Sequence, residues 1–264
     1  MRLAARRPPR GIVDPDRRRH SWMGEEVGYA SAALAHDLRT PLTRIRTILD
    51  AALREDDRVS QRDCIERAMA GCDDMSELLG SLLRITELKR GGIPLPKADV
   101  DLVELCTFLH EAFEPAIVDG GRTISLCCEG PAVTRANRAL LAQAVSNLLD
   151  NAQLHTPIGT NIVLSIVAKE AVLRIGVSDD GPGVPDTVLN RLTERFYRAT
   201  PGRSPPGHGL GLSLAAAVAA AHGADLRVFN DGPGLRVVLS FASMPGDLKG
   251  ARPPARRSAL VHRL

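Results

Sequence analysis

Aromatic residues are scarce: they make up 3% of the 264 residues, as one Trp, two Tyr and five Phe. Any core must therefore rest on Leu, Ile, Val and Ala, which the 44% hydrophobic fraction supplies. Long apolar runs are missing as well. The most apolar stretch, LAAAVAAA, is far below the roughly 18 residues needed to span a bilayer. The basic N-terminus has no apolar segment behind it, which excludes a secretory signal. The five cysteines (Cys64, Cys72, Cys106, Cys127 and Cys128) are odd in number and show no CxxC spacing. That excludes a zinc ribbon and a disulfide framework, and the expectation is reduced thiols in a cytoplasmic protein. A net charge of +3 is too small to point to nucleic acid.

What charge there is lies at the ends. Arginines crowd residues 1–24 (Arg6, Arg7, Arg10, Arg17, Arg18, Arg19) and residues 245–264 (Arg252, Arg256, Arg257, Arg263), among prolines and few large apolar residues. Both ends read as disordered basic tails. Between them, Leu34, Leu38, Leu42, Ile45, Leu49 and Ala52 recur at spacings of three and four, a helical stripe over residues 25–56. A second stripe runs through Ile65, Ala68, Met69, Cys72, Met75, Leu79, Leu82 and Ile85. The two helices form an antiparallel hairpin over residues 25–90, with a face left to bury that a dimeric four-helix bundle would cover. KRGGIPLP follows, and residues 91–97 read as a linker. Residues 98–244 mix helices with strands and antiparallel hairpins, an α+β two-layer sandwich. In it LVELCTFLHEAF and NRALLAQAVSNLLDNAQLH are helices. NIVLSIVAKEAVLRIGVSDD is two strands about a turn at Lys169–Glu170. ADLRVFNDGPGLRVVLSF is a final hairpin.

The chemistry-bearing residues form two groups. In AHDLRTPL, the helical wheel turns His36 away from the apolar stripe, so its ring faces solvent, with Thr40 one turn on. An exposed imidazole is partly neutral at pH 7 and available as a nucleophile. Asp37 stands beside it, where a carboxylate can hold the Nδ1 proton. Pro41 frees the Asp37 carbonyl and loosens the helix. In SNLLDNAQLH, Asn147 and Asn151 share a helix face, with His155 a further turn on and Leu148, Leu149 and Ala152 on the buried side. Carboxamide oxygens one turn apart suit Mg²⁺ that also takes phosphate oxygens. VSDDGPGVP puts Asp179 at a strand end, where its carboxylate can accept from an exocyclic amine. Gly181 and Gly183 let backbone approach a flat ring. In GHGLGLSLAAAV, Gly207, Gly209 and Gly211, with Leu210 between them, lead into a helix whose N-terminus favours phosphate. This is neither a P-loop nor a dinucleotide fingerprint.

HDLRTPL, NLLDNAQLHTP, DDGPGVP, ERFYR and GHGLGL occur in this order over residues 25 to about 243. Together they resemble the catalytic core of the sensor histidine kinases of two-component systems: a dimerisation and histidine-phosphotransfer hairpin, then a Bergerat-type ATP-binding domain. The resemblance implies ATP and Mg²⁺ as cofactors. It implies a homodimer, and a response regulator receiver domain as partner. His36 would take the γ-phosphoryl group, Asp37 would orient or deprotonate it, and Thr40 would place water for dephosphorylation of the partner. Asn151 would ligate Mg²⁺, with Asn147 and His155 supporting the site. Asp179 would read the adenine amino group, Gly181 and Gly183 would shape its pocket, and Gly207, Gly209, Leu210 and Gly211 would cradle phosphates. Arg198 would stabilise developing charge, and residues 199–208 would form a lid.

Two positions depart from the family pattern. Leu154 stands where a Lys or Arg often reaches a phosphate, leaving Arg195 or Arg203 to substitute, and Thr193 stands where Phe is usual before ERFYR. Family members also usually carry a sensor and membrane segments ahead of the His helix, where this chain has a basic stretch of about 24 residues. A soluble kinase, one piece of a split system and a truncated form all fit that. Two other functions stay open on the residues. One is a hydrolytic ATPase, although related ATPases use a Glu where Asn147 stands and Asn cannot act as that base. The other is a dimeric phosphotransfer scaffold without ATP turnover.

Overall fold

The computed structural model describes residues 38–39, 41–90, 95–169, 172–199 and 209–242. His36, Asp37, Thr40, Gly207, both basic tails, most of the linker and nearly all of the lid segment lie outside the described residues. The chain divides into two compact units, Met1–Glu77 and Leu78–Leu264.

In the first unit, helix α1 (residues 41–52) and the first part of α2 (Arg58–Arg90) are joined by a short turn. Asp57 starts α2: its Oδ2 accepts from the Ser60 N–H and hydroxyl, both at 2.9 Å, which holds its carboxyl below the ordinary range. Gln61 Nε2 donates to the Ala52 carbonyl at 3.2 Å and closes the turn. Ile45, Ala52 and Ala68 are buried. Gly71 makes room for Ile45, whose Cγ1 would lie 2.8 Å from any Cβ placed there. The expected stripes are only partly covered. Leu42 is 54% exposed, Leu49 43%, Ile65 43% and Met69 62%. Two helices can shield only the sides that face each other, so the flanking members of each stripe remain in water.

In the second unit, a five-stranded sheet has the order β2-β4-β5-β7-β6, and a two-stranded antiparallel ribbon pairs β1 with β3. Its elements run β1 (Ala98–Asp101), α3 (Leu102–Asp119), β2 (Thr123–Glu129), β3 (Val133–Ala136), α4 (Arg138–His155), β4 (Asn161–Lys169), β5 (Val172–Asp179), α5 (Asp186–Leu189), α6 (Gly211–Ala221), β6 (Asp225–Asn230) and β7 (Leu235–Ala242). The period-two pattern of each strand sends alternate side chains to one face. Ile162, Leu164 and Ile166 of β4, Leu173, Ile175 and Val177 of β5, and Val237, Leu239 and Phe241 of β7 are all buried. Helices α3, α4 and α6 form the second layer. The aliphatic core expected from the shortage of aromatics is what the fold contains.

Three features were not read from the sequence. The β2–β4 pair is parallel. The chain between them includes α4, and a parallel pair requires such a crossover. The ribbon β1–β3 was not expected: DVD and VTRA are too short and too polar to carry a strand pattern. Helix α3 continues through Pro115 to Asp119, past the expected end at Phe113. The proline forfeits one helical bond, but on an exposed turn, and the buried Ile117 holds the last turn in place. Among the described residues no helix is long and apolar enough to cross a membrane.

Candidate functional site

Helix α4 is the spine of the site. Asn137 caps it, its Oδ1 accepting from the Leu140 N–H at 3.1 Å. Leu141, Ala144, Val145, Leu148, Leu149 and Ala152 bury one side. That leaves Asn147 and Asn151, half-buried, on another side one turn apart. Asn147 Nδ2 is buried and has no hydrogen-bond partner among the described residues. An amide donor in that state is costly unless a ligand or water meets it. Its neighbour is the start of α6: a Cβ on Gly211 would sit 3.6 Å from Asn147 Cβ.

Among the described residues no side chain caps the start of α6. Leu210 occupies the cap position and supplies no side-chain hydrogen bond. Its side chain is only 5% exposed, so its backbone alone is available to a ligand. Among the described residues the first N–H groups of the helix thus have no side-chain acceptor. Gly209 has φ 66°, and a Cβ there would meet the Tyr197 carbonyl oxygen at 2.9 Å. The Gly209 carbonyl accepts from the Phe196 N–H at 3.0 Å, which ties ERFYR to the glycine segment. Arg195 lies in this stretch with its Nε buried and unpartnered among the described residues. Arg198 is half-buried, and its charge, after burial, helps push the His155 ring below its ordinary value. His155 is the last residue of α4, at the surface.

Near the C-terminal end of the spine stands Asp179, last residue of β5 and half-buried. Its Oδ1 accepts from the Gly181 N–H at 3.0 Å and from the Leu235 N–H at 3.3 Å. Burial pushes its carboxyl above the ordinary range, and these two N–H groups oppose that. Oδ2 has no partner among the described residues and is free to accept. Gly181 is buried against Thr156, the residue that ends α4. Gly183 has φ 64°, and a Cβ there would meet Asn230 Oδ1 at 2.8 Å.

The structure therefore sets Gly211 beside Asn147 on α4 and Gly181, which holds Asp179, beside Thr156 at the end of the same helix; Asn151 and His155 lie on α4, while Gly183 packs on Asn230 and Gly209 on Tyr197. Asn230 was missed from sequence. Its Oδ1 accepts from the Val184 N–H at 3.1 Å, and its Nδ2 donates to the Val184 carbonyl and to Asp186 Oδ1, both at 2.7 Å. These bonds rivet the DGPGVP loop to β6. An Asn closing a strand before DGPG was the one available signal, and it reads equally well as turn chemistry.

The donor set suits a nucleotide carrying its own divalent cation. Among the described residues no group of three His, Cys, Asp or Glu could hold a metal. A carboxamide such as that of Asn151 supplies one oxygen, so Mg²⁺ would be held there only with phosphate oxygens completing its shell.

Two family models match this chain, in order. The His Kinase A (phospho-acceptor) domain covers residues 27–91, and the histidine kinase-, DNA gyrase B- and HSP90-like ATPase covers residues 136–245. Sensor protein SphS of Synechococcus elongatus is 33% identical over 222 residues, 80% of this chain and 51% of SphS. The signal transduction histidine-protein kinase/phosphatase MprB of a Mycobacterium species is 34% identical over 208 residues, 75% of this chain and 39% of MprB. The crystal structure of full-length ShkA in complex with AMPPNP superposes with a TM-score of 0.63 at 25% identity, covering 83% of this chain and 47% of ShkA. The chain belongs to the sensor histidine kinases of two-component signalling, of which it carries the catalytic core. It spans about half the length, or less, of the curated relatives it matches.

Proposed function

We propose that this chain is an ATP-dependent protein histidine kinase that phosphorylates its own His36 and passes the phosphoryl group to an aspartate of a response regulator receiver domain. The observation that carries the reading is the pairing, in one chain, of a phospho-acceptor domain that includes His36 with an ATPase domain that includes Asn151 and Asp179. The ShkA likeness, with its bound ATP analogue, supports the nucleotide assignment.

In this reading the free oxygen of Asp179 accepts from the adenine amino group. The open N–H groups at the start of α6 take phosphate oxygens. Asn147, with its unpartnered amide, and Asn151 face the triphosphate, and Asn151 would hold Mg²⁺, which would supply charge neutralisation at the phosphates. Asp37 keeps the proton on His36 Nδ1, so the lone pair of Nε2 attacks the γ-phosphorus. The bond from that phosphorus to the bridging oxygen breaks, and ADP leaves with the electron pair. Arg198 faces the developing charge. The N–P bond of the product has a high transfer potential, which suits relay to a carboxylate. Thr40 orients water when the partner is dephosphorylated, and the name of MprB, a kinase/phosphatase, is in line with that.

The exposed flanks of the hairpin stripes, Leu42, Leu49, Ile65 and Met69, support a homodimer through this unit. The work takes place in the cytoplasm, where ATP is available and the five thiols stay reduced. Incubation with γ-labelled ATP tests the reading. Acid-labile, alkali-stable label on the protein supports it. Free phosphate without labelled protein indicates a hydrolytic ATPase, and no turnover at all indicates a scaffold.

A further inference from the structure

Arg122 sits in the turn between α3 and β2, remote in sequence from every motif of the nucleotide site, and is half-buried. All three of its guanidinium nitrogens donate. Nε donates to the Thr156 carbonyl and to Thr156 Oγ1, both at 3.1 Å. Nη2 donates to the same carbonyl, and Nη1 donates to the Gly120 carbonyl at 2.9 Å. Thr156 is the residue where α4 ends, and the last carbonyls of a helix have no partner within it. Arg122 satisfies the Thr156 carbonyl and fixes the hydroxyl, which in turn donates to the Ala152 carbonyl at 2.7 Å.

The fixed side chain has a second contact. Thr156 is 7% exposed, and its Cγ2 would lie 3.0 Å from any Cβ on Gly181. Gly181 is the residue whose N–H holds Asp179 Oδ1. A second route leaves the same turn: the Thr123 N–H donates to the Thr160 carbonyl at 3.0 Å, and the Asn161 N–H donates to Asp180 Oδ1 at 2.7 Å. One route ends on Asp179, the last residue of β5, and the other on Asp180, the residue after it.

We propose that Arg122 is a positioning residue for the nucleotide base: through Thr156 it sets the height of Gly181 and the aim of Asp179, and so the enzyme's preference for adenine over guanine. This rests on the ATP reading given above. The planar fork matters as well as the charge. A lysine at this position could reach one of the carbonyls but could not span Gly120 and Thr156 together.

The test measures binding of ATP, GTP and inorganic triphosphate to the full chain by calorimetry, alongside its melting temperature. Wild type should prefer ATP to GTP. Arg122→Ala should lose up to about tenfold in ATP affinity, the worth of one hydrogen bond at the base. Its triphosphate affinity should be unchanged, so the ATP-to-GTP ratio falls. Arg122→Lys should lie between the two. Thr156→Ser keeps the hydroxyl and its bonds but removes the methyl against Gly181, so it should lower the same ratio with little change in melting temperature. It decides the matter if Arg122→Ala does not fold. Two results would overturn the proposal: an unchanged ATP-to-GTP ratio in Thr156→Ser, or an Arg122→Ala protein that loses ATP and triphosphate equally. If wild type shows no preference for ATP, it is the reading of the site itself that fails.

Discussion

The backbone N–H of Asn137 donates to Nε2 of His222 at 3.0 Å, joining residues 85 positions apart. Nδ1 of the same ring lies 2.8 Å from the Val218 carbonyl, so with Nε2 accepting, the single ring proton sits on Nδ1 and donates there. Asn137 also caps α4 and donates from Nδ2 to the Pro96 carbonyl at 3.2 Å. The pair thus ties the end of α6 to the start of α4 and to the segment entering the domain.

This pair makes the domain acid-sensitive. Burial pushes His222 below its ordinary value and the Lys97 charge adds to that, while the bond to Val218 opposes it. Burial followed by the Arg198 charge lowers His155 as well. The unfolded chain therefore binds these protons first, near the ordinary value of about 6.5, and stability falls as pH drops through that value towards the lowered folded ones. Above about pH 7 the contribution is fully present. Thermal melting between pH 8 and pH 5 should show the fall, and His222→Gln, which can still accept from Asn137, should flatten part of it. His222→Ala leaves the Asn137 N–H without an acceptor and should cost about 1–3 kcal/mol at pH 8.

Gly234 has φ 140°, and a Cβ there would overlap the Asp179 carbonyl oxygen, backbone against backbone. Neither side can give way without moving Asp179. Gly234→Ala should destabilise the domain by about 3 kcal/mol or more in denaturant unfolding. Gly232 is the control: φ is 77° but nothing lies within 4 Å of a Cβ, so Gly232→Ala carries only the local strain of about 1–2 kcal/mol. Equal losses in the two variants would contradict the steric account.

The hairpin stripes test the dimer. Met69 is 62% exposed and Leu49 43% in the single chain. Burying each in a partner is worth about 1.5–3 kcal/mol for a side chain taken fully out of water. Leu49→Glu with Met69→Glu should therefore give a monomer in light scattering after gel filtration, with its helical content kept. A dimer that survives the double change would place the interface elsewhere.

Asn151→Asp preserves size and the α4 framework but sets a carboxylate where the proposed function puts Mg²⁺ and the triphosphate. Autophosphorylation should fall at least about tenfold, or ~1.4 kcal/mol in the barrier, with the dimer intact. A normal rate would remove Asn151 from the metal assignment.

The elements that could be read from sequence were the periodic ones. Helix α4 announces itself through Leu148, Leu149 and Ala152, and the β4–β5 and β6–β7 hairpins through their alternation, because one buried face imposes one period. Gly183 and Gly209 stand where the backbone has φ above zero, a conformation that favours glycine. What escaped notice depends on distant partners. The β1–β3 ribbon has no period of its own, α3 runs through Pro115 because Ile117 is buried, and Arg122 and Asn230 are ordinary polar residues until the fold brings Thr156 and Val184 to them. The sequence stripes also overstated what one chain buries, since Leu42 and Met69 wait for a surface that a single hairpin lacks.

Mass spectrometry of the full chain after incubation with Mg·ATP at neutral pH, with peptides kept alkaline during digestion, tests the central claim most directly. The account predicts one phosphoryl group on the peptide containing His36, its absence in His36→Ala, and its transfer to a receiver-domain aspartate. A phosphoryl group on another residue with His36 unmodified, or an unchanged yield in His36→Ala, would contradict it.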